Sequence, residues 1–175
     1  MLPIESGLAI LVPEAEFLVG SFRAKYDPSA AAGMPAHITL LYPFKPPDEI
    51  GEAVIEELTR CFASFRAFDF SLAATRRFPG GVLYLVPEPD EPFRRLTSAI
   101  WALYPSTPPY RGRYSRIAPH LTVAQLADER QLEPIAVEFG RAAEGKLPIR
   151  AAVSEVALMD TRTGHWQVLT ALALR

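Results

Sequence analysis

Two short segments of this chain share one frame. Ala36-His37-Ile38-Thr39-Leu40 and Pro119-His120-Leu121-Thr122-Val123 each read histidine, apolar residue, threonine, apolar residue. The chain has three histidines, and two of them occupy this frame. Side chains at i and i+2 of a strand point to the same face. His37 and Thr39 should therefore share a face, with Ile38 and Leu40 turned to the core. The same parity applies to His120 and Thr122 against Leu121 and Val123. Packed about a pseudo-twofold, the two copies would line one groove with two imidazoles and two hydroxyls. Imidazole titrates near neutrality, so one ring can be neutral while the other is protonated. The neutral ring can take a proton from an attacking water or hydroxyl, and the protonated ring can give one to a leaving oxygen. The threonine hydroxyls can donate to non-bridging phosphate oxygens. Such a set suits phosphoryl transfer without a metal. One His-x-Thr on a strand is more often structural, because strands favour threonine and apolar neighbours. The weight of the reading rests on the repetition.

The elements that must carry these residues can be read from pattern. Residues 7–12 are an apolar run ending at Pro13, a buried strand. Residues 14–26 read as a helix with acids in its first turn and Lys25 near its end. The stretch 27–35 is rich in Pro, Gly, Ala and Ser and reads as a loop. Residues 37–44 form a strand that stops at Pro43 and Pro46. Asp48 is expected to cap a helix carrying Ile50, Val54, Leu58, Cys61 and Phe65 at helical spacing. Phe68, Phe70 and Leu72 alternate with Asp69 and Ser71. After Pro79-Gly80-Gly81, residues 82–86 return, which makes a hairpin. Asp90 is expected to cap a helix running to Tyr104, with Pro92 in its first turn and a stripe of Phe93, Leu96, Ile100 and Leu103. A loop dense in Pro, Tyr and Arg spans 105–116, and 120–126 is a strand. Residues 128–141 read as a weak helix interrupted by Pro134. Residues 151–159 and 166–174 form a closing hairpin around Thr161-Arg162-Thr163-Gly164. Short turns between strands favour antiparallel α+β over a doubly wound parallel sheet. No linker divides the chain, so residues 1–175 are expected to form a single bilobal domain.

Composition narrows the partners. The net charge is −2 and the pI about 5.9. A protein that grips a long duplex by counterion release usually carries a basic excess. A small nucleotide, or the end of an RNA, fits better. The lone cysteine, Cys61, reads as a buried small hydrophobe and not a nucleophile. No Cys/His cluster has metal-ligand spacing, so neither a metal nor another cofactor is expected. No signal-peptide pattern and no spanning apolar stretch are seen, which points to a cytoplasmic, reducing location without membrane attachment. A monomer is expected.

The paired motifs resemble those of the 2H phosphoesterase superfamily, which includes bacterial 2′–5′ RNA ligase-like proteins and cyclic phosphodiesterases. Pro119 ahead of the second motif, Arg77-Phe78-Pro79-Gly80 followed by Val82-Leu83-Tyr84-Leu85, and the closing Trp166-Gln167-Val168 and Leu172-Ala173-Leu174 are similar to family features. The likeness covers essentially the whole chain. It implies an α+β fold with two antiparallel-sheet lobes about a central groove and helices outside. It implies that His37 and His120 are catalytic and that Thr39 and Thr122 bind phosphate. The implied substrates are 2′,3′-cyclic phosphates, 2′–5′ linkages, or cyclic phosphates of small nucleotides. Many RNA-directed members are more basic than this chain, which favours a small substrate.

Further side chains are candidates for substrate contact. Arg113 and Arg116, with Arg111, precede the second motif on a loop that could overhang the groove, and Arg forks match phosphate oxygens. Arg76 and Phe78 lie near the hairpin turn, where Phe78 could stack a base. Tyr114 and Tyr110 offer the same in weaker form. Each also has a plain reading as loop surface or lid. Trp101 and Trp166 read as core, and His165 as an exposed hairpin tip. Two rival functions remain open. One is a binding module that holds a nucleotide or RNA end without turnover. The other is a metal-dependent hydrolase with His37 and His120 as ligands, ranked last because neither repeat contains a carboxylate.

Overall fold

Alternation along the first strand sorts its side chains between two environments. In the computed structural model, which describes residues 3–175, strand β1 (Ser6–Leu11) sends Leu8 and Ile10 into the main core and Ala9 to the opposite face. The chain continues through α1 (Glu16–Tyr26), the one-turn α2 (Pro28–Ala31), β2 (His37–Leu41), α3 (Glu52–Phe62), β3 (Phe68–Phe78) and β4 (Val82–Glu88). Then come α4 (Glu91–Leu103), β5 (Leu121–Gln125), α5 (Leu132–Ala143), β6 (Ile149–Val153), β7 (Glu155–Asp160) and β8 (Gln167–Ala173). The strands form one antiparallel sheet in the order β6-β3-β4-β5-β2-β1-β7-β8. Two four-stranded halves therefore meet at β5 and β2, through the pair Ile38–Leu121.

Helices cover one face of this sheet. Leu18, Val19 and Phe22 of α1, Leu58 and Phe62 of α3, Phe93, Leu96 and Ile100 of α4, and Ile135 and Phe139 of α5 pack on Ile38, Leu40, Leu83, Leu85, Leu121 and Val123. Two of these helices cross the midline. Helix α1 follows β1 but packs on β5, and α4 follows β4 but packs on β2. Burying one half's helix on the other half's motif strand locks the two motifs together.

Several boundaries differ from the sequence reading. The strand expected over 151–159 is broken at Ser154, and its two parts pair with β3 and with β1 respectively. Only its second part forms the closing hairpin with β8. Pro134 does not interrupt a helix. It is the third residue of α5, where a missing N–H costs nothing. Asp48 lies in a short 3-10 turn, and Gly51 occupies the N-cap of α3. Asp90 stands at the N-cap of α4 without a capping bond, its carboxylate taken by Arg94 at 2.5 Å. The expected loop 27–35 contains α2, capped by the Asp27 side chain. Trp101, read as core, is 41% exposed, as α4 turns Thr97 inward instead. Leu103 is likewise exposed, and Cys61 is half-buried.

Candidate active site

The face opposite the helices carries a groove of about 890 Å³. Its floor is the junction of β2 and β5. The antiparallel register through Ile38 and Leu121 sets His37 across from Thr122 and Thr39 across from His120. A two-by-two array results, with the histidines on one diagonal. All four side chains line the groove and are half-buried, while Ile38 and Leu121 are fully buried beneath it.

Both rings are held in the same way. The His37 Nδ1–H donates to the Pro35 carbonyl at 2.8 Å, and the His120 Nδ1–H to the Ala118 carbonyl at 2.7 Å. A carbonyl can only accept, so each Nδ1 must carry a hydrogen. Each Nε2 is thereby left to gain or lose a proton. Burial is the main force on both. It pushes His37 down to about 4, helped by the positive charges of Arg23 and, to a lesser extent, His120. Burial also lowers His120, against its backbone hydrogen bond. With both rings lowered, neither holds a second proton at pH 7 in the free protein. A bound anion would restore a proton to one of them.

The walls differ. Around His120 stand Phe78, edge-on at 5.0 Å between centroids, Tyr84 at 5.5 Å, and Tyr110, nearly parallel at 6.5 Å. Elsewhere the lining mixes the apolar Ala9, Met34 and Trp166 with the polar Asp27 and Ser29. Tyr110 sits on a 3-10 turn, Pro109–Gly112, in which it and Arg111 take left-handed backbone angles, φ 51° and 58°. That turn is pinned over the groove. The Tyr110 N–H donates to the Tyr42 carbonyl at 2.6 Å, and Arg111 meets Glu5 at 3.3 Å. Glu5 also accepts from the Tyr42 hydroxyl. Burial and Glu5 push that hydroxyl up to about 12. Burial pushes Tyr110 up to about 12 as well, with Thr39 opposing.

Of the residues singled out in the sequence, Phe78, Arg113, Tyr114 and Arg116 line the groove. Arg76 does not. It lies on β3 across from Tyr84, two strands from Thr122, exposed and beyond the groove wall. Trp166, read as core, is a wall residue edge-on to Tyr42. Sequence reading also missed Tyr42, Tyr84 and Met34. Tyr84 had a legible signal, since its parity within β4 opposes that of buried Leu83 and Leu85. His165 is exposed, as expected for a hairpin tip. Among the described residues, no three His, Cys, Asp or Glu side chains converge as a metal site requires, and no helix is long and apolar enough to cross a membrane.

Comparison with known proteins bears on the family and the fold. A family model for the 2′-5′ RNA ligase superfamily matches residues 11–165. No curated protein matches the chain. Among solved structures, E. coli LigT complexed with 3′-AMP aligns over 99% of both chains at 19% identity and a TM-score of 0.62. TT0787 of Thermus thermophilus aligns over 98% of both chains at 19% identity and a TM-score of 0.61. A structure described as a phosphoesterase aligns over 98% of this chain and 99% of its own, at 19% identity and 0.60. At such identities the structural likeness speaks to the fold: α+β, a curled antiparallel sheet with helices on its outer face. The family match covers most of the sequence, and the chain belongs to the 2′-5′ RNA ligase superfamily of two-histidine phosphoesterases.

Proposed function

We propose that this protein is a metal-independent phosphoesterase. It acts on a 2′,3′-cyclic phosphate or a 2′–5′ phosphodiester at an RNA end or in a small nucleotide. The observation that carries the reading is the matched pair of rings. Two histidines have the same tautomer, each fixed by a carbonyl two residues upstream, and both edge a single groove with two threonines. In the reaction one Nε2 accepts the proton of the attacking water. The other delivers a proton to the departing ribose oxygen. Thr39 and Thr122 donate to the non-bridging oxygens as charge develops on them. Arg113 and Arg116 have no ion-pair partner among the described residues and supply positive charge at the mouth. Phe78 and Tyr114 offer faces for a base.

The size of the groove and the mild negative charge support a small substrate. So do solved structures of E. coli LigT with 3′-AMP, ATP and NADP+. The test is turnover of 2′,3′-cyclic nucleotides and of 2′–5′-linked dinucleotides in the presence of a chelator. His37→Ala and His120→Ala should each lower kcat by about a hundredfold to ten-thousandfold. Unchanged turnover in either variant would refute the mechanism. Binding of cyclic phosphates without any turnover would instead identify a nucleotide- or RNA-end-binding module.

A further inference from the structure

The two motifs are not equivalent in what stands behind them. Arg23 of α1 is 1% exposed. Its Nη2 donates to the Met34 carbonyl at 2.6 Å, and its Nη1 lies 3.1 Å from an Asp27 carboxylate oxygen. That nitrogen and that oxygen have no hydrogen-bond partner among the described residues. The other oxygen of Asp27 accepts from the backbone and hydroxyl of Ser29, at 2.9 and 2.8 Å. Two turns earlier on α1, Glu16 accepts from the Ala36 N–H at 2.6 Å. Met34 and Ala36 are thus gripped by charged side chains of one helix. Between them is Pro35, whose carbonyl orients the His37 ring. Ala118, which orients His120, has no comparable clamp among the described residues.

We propose that Arg23, paired with Asp27, is a positioning residue that makes the two histidines unequal: it fixes the Pro35 carbonyl that aims His37 and sets a buried positive charge behind that ring alone. The proposal rests on the phosphoesterase reading only for its kinetic consequence. The charged or titratable groups that face His37 are Arg23 from α1, Asp27 ahead of α2, and His120 ahead of β5; its neighbour on β1 is Leu11. Arg23 acts on His37 more strongly than Asp27 does, and it is absent from the influences on His120. The pair costs desolvation energy that well-packed apolar residues would not. A buried ion pair with an imperfect hydrogen-bond set, beside a reacting group, is accounted for by what it does to that group.

Two variants separate the charge from the clamp. Arg23→Met with Asp27→Leu removes both charges without leaving either buried alone, and such replacements commonly preserve folding. Arg23→Lys keeps the charge but loses the planar fork. Imidazole titrations followed by NMR in the free protein give a readout independent of turnover. In the double variant the His37 midpoint should rise by about half a pH unit or more, and the His120 midpoint should move much less. In Arg23→Lys the His37 midpoint should stay near wild type while kcat falls several-fold. The acidic limb of kcat/KM should follow the His37 midpoint. Glu16→Ala, which leaves the Ala36 N–H without its acceptor, should lower kcat by loosening Ala36 while leaving the midpoint in place. An unmoved His37 midpoint in the double variant, or equal movement of both histidines, would overturn the proposal. So would wild-type kcat in both Arg23→Lys and Glu16→Ala. A wild-type protein without turnover would refute the phosphoesterase reading, and the NMR titrations would still decide the role of Arg23.

Discussion

At the scale of single residues, the proposed chemistry divides between proton transfer and charge stabilisation, and each part has its own signature. Thr39 and Thr122 sit across from His120 and His37. On the proposed mechanism their hydroxyls serve the transition state more than the ground state, since negative charge on the non-bridging oxygens grows during attack. Thr39→Val and Thr122→Val should therefore lower kcat by about a hundredfold with little change in KM. Steady-state kinetics on a cyclic nucleotide would show it, and a loss confined to KM would contradict the assignment. The histidines predict a pH profile. The proposed mechanism needs one ring protonated and one neutral, and in the free protein His37 lies at about 4 with His120 below its ordinary 6.5. The kcat/KM profile, which reports the free enzyme, should be bell-shaped with its maximum between those limits, on the acid side of neutrality. In the complex the substrate's negative charge raises both rings, so the kcat profile should be displaced to higher pH. Coincident profiles would show that the substrate charge does not reach the rings.

The elements position these residues, and one turn is more constrained than its composition suggests. Gly81, between β3 and β4, has φ +86°, and a Cβ there would run into the Leu126 carbonyl. Its own carbonyl accepts from the Leu126 N–H at 2.9 Å, tying the hairpin to the end of β5. Gly81→Ala should cost about 2–4 kcal/mol through backbone clash and a left-handed angle. Urea unfolding would measure this, and a stability equal to wild type would mean that the hairpin shifts freely. The Pro79-Gly80-Gly81 turn was plain in the sequence because glycine and proline report local backbone geometry. The motif faces were plain too, because strand parity is a local rule. Other features depended on distant partners. A single kink at Ser154 sends β6 and β7 to different halves of the sheet, and nothing in Ala152-Val153-Ser154-Glu155 marks it. Trp166 is apolar and therefore reads as core, yet what it packs against, Tyr42 and Met34, makes it a groove wall. Arg23 is one cation within the helix expected over 14–26, and no pattern in the sequence singles it out. Its burial follows from α1 crossing the midline, which periodicity cannot reveal.

For the whole molecule, the lowered histidines link folding, protonation and ligand binding. An unfolded chain takes a proton on His37 near pH 6.5, whereas the folded chain resists until about 4. Between those values the unfolded state holds more protons, so His37 favours unfolding progressively as the pH falls. Its share of stability is complete above pH 6.5 and is lost as the pH drops toward 4. Each pH unit by which folding lowers the midpoint corresponds to about 1.4 kcal/mol, and screening at this half-buried ring holds the loss to the order of 2–3 kcal/mol. Carboxylates elsewhere also titrate in this range, but a His37→Asn variant retains them. The fall in Tm from pH 7 to pH 4.5 should therefore be smaller in the variant than in the wild type. On the proposed reading, a bound anion whose own charge is fixed over this range, such as sulfate, acts in the opposite direction. An anion between the rings raises their proton affinity, so binding draws in a proton and tightens as the pH falls toward 5. The Tm increase given by a fixed excess of ligand should then be larger at pH 5.5 than at pH 7.5 in the wild type. His37→Asn should lose most of that difference. Equal ligand-induced shifts at both pH values would show that the groove binds its anion without recruiting a proton to either imidazole.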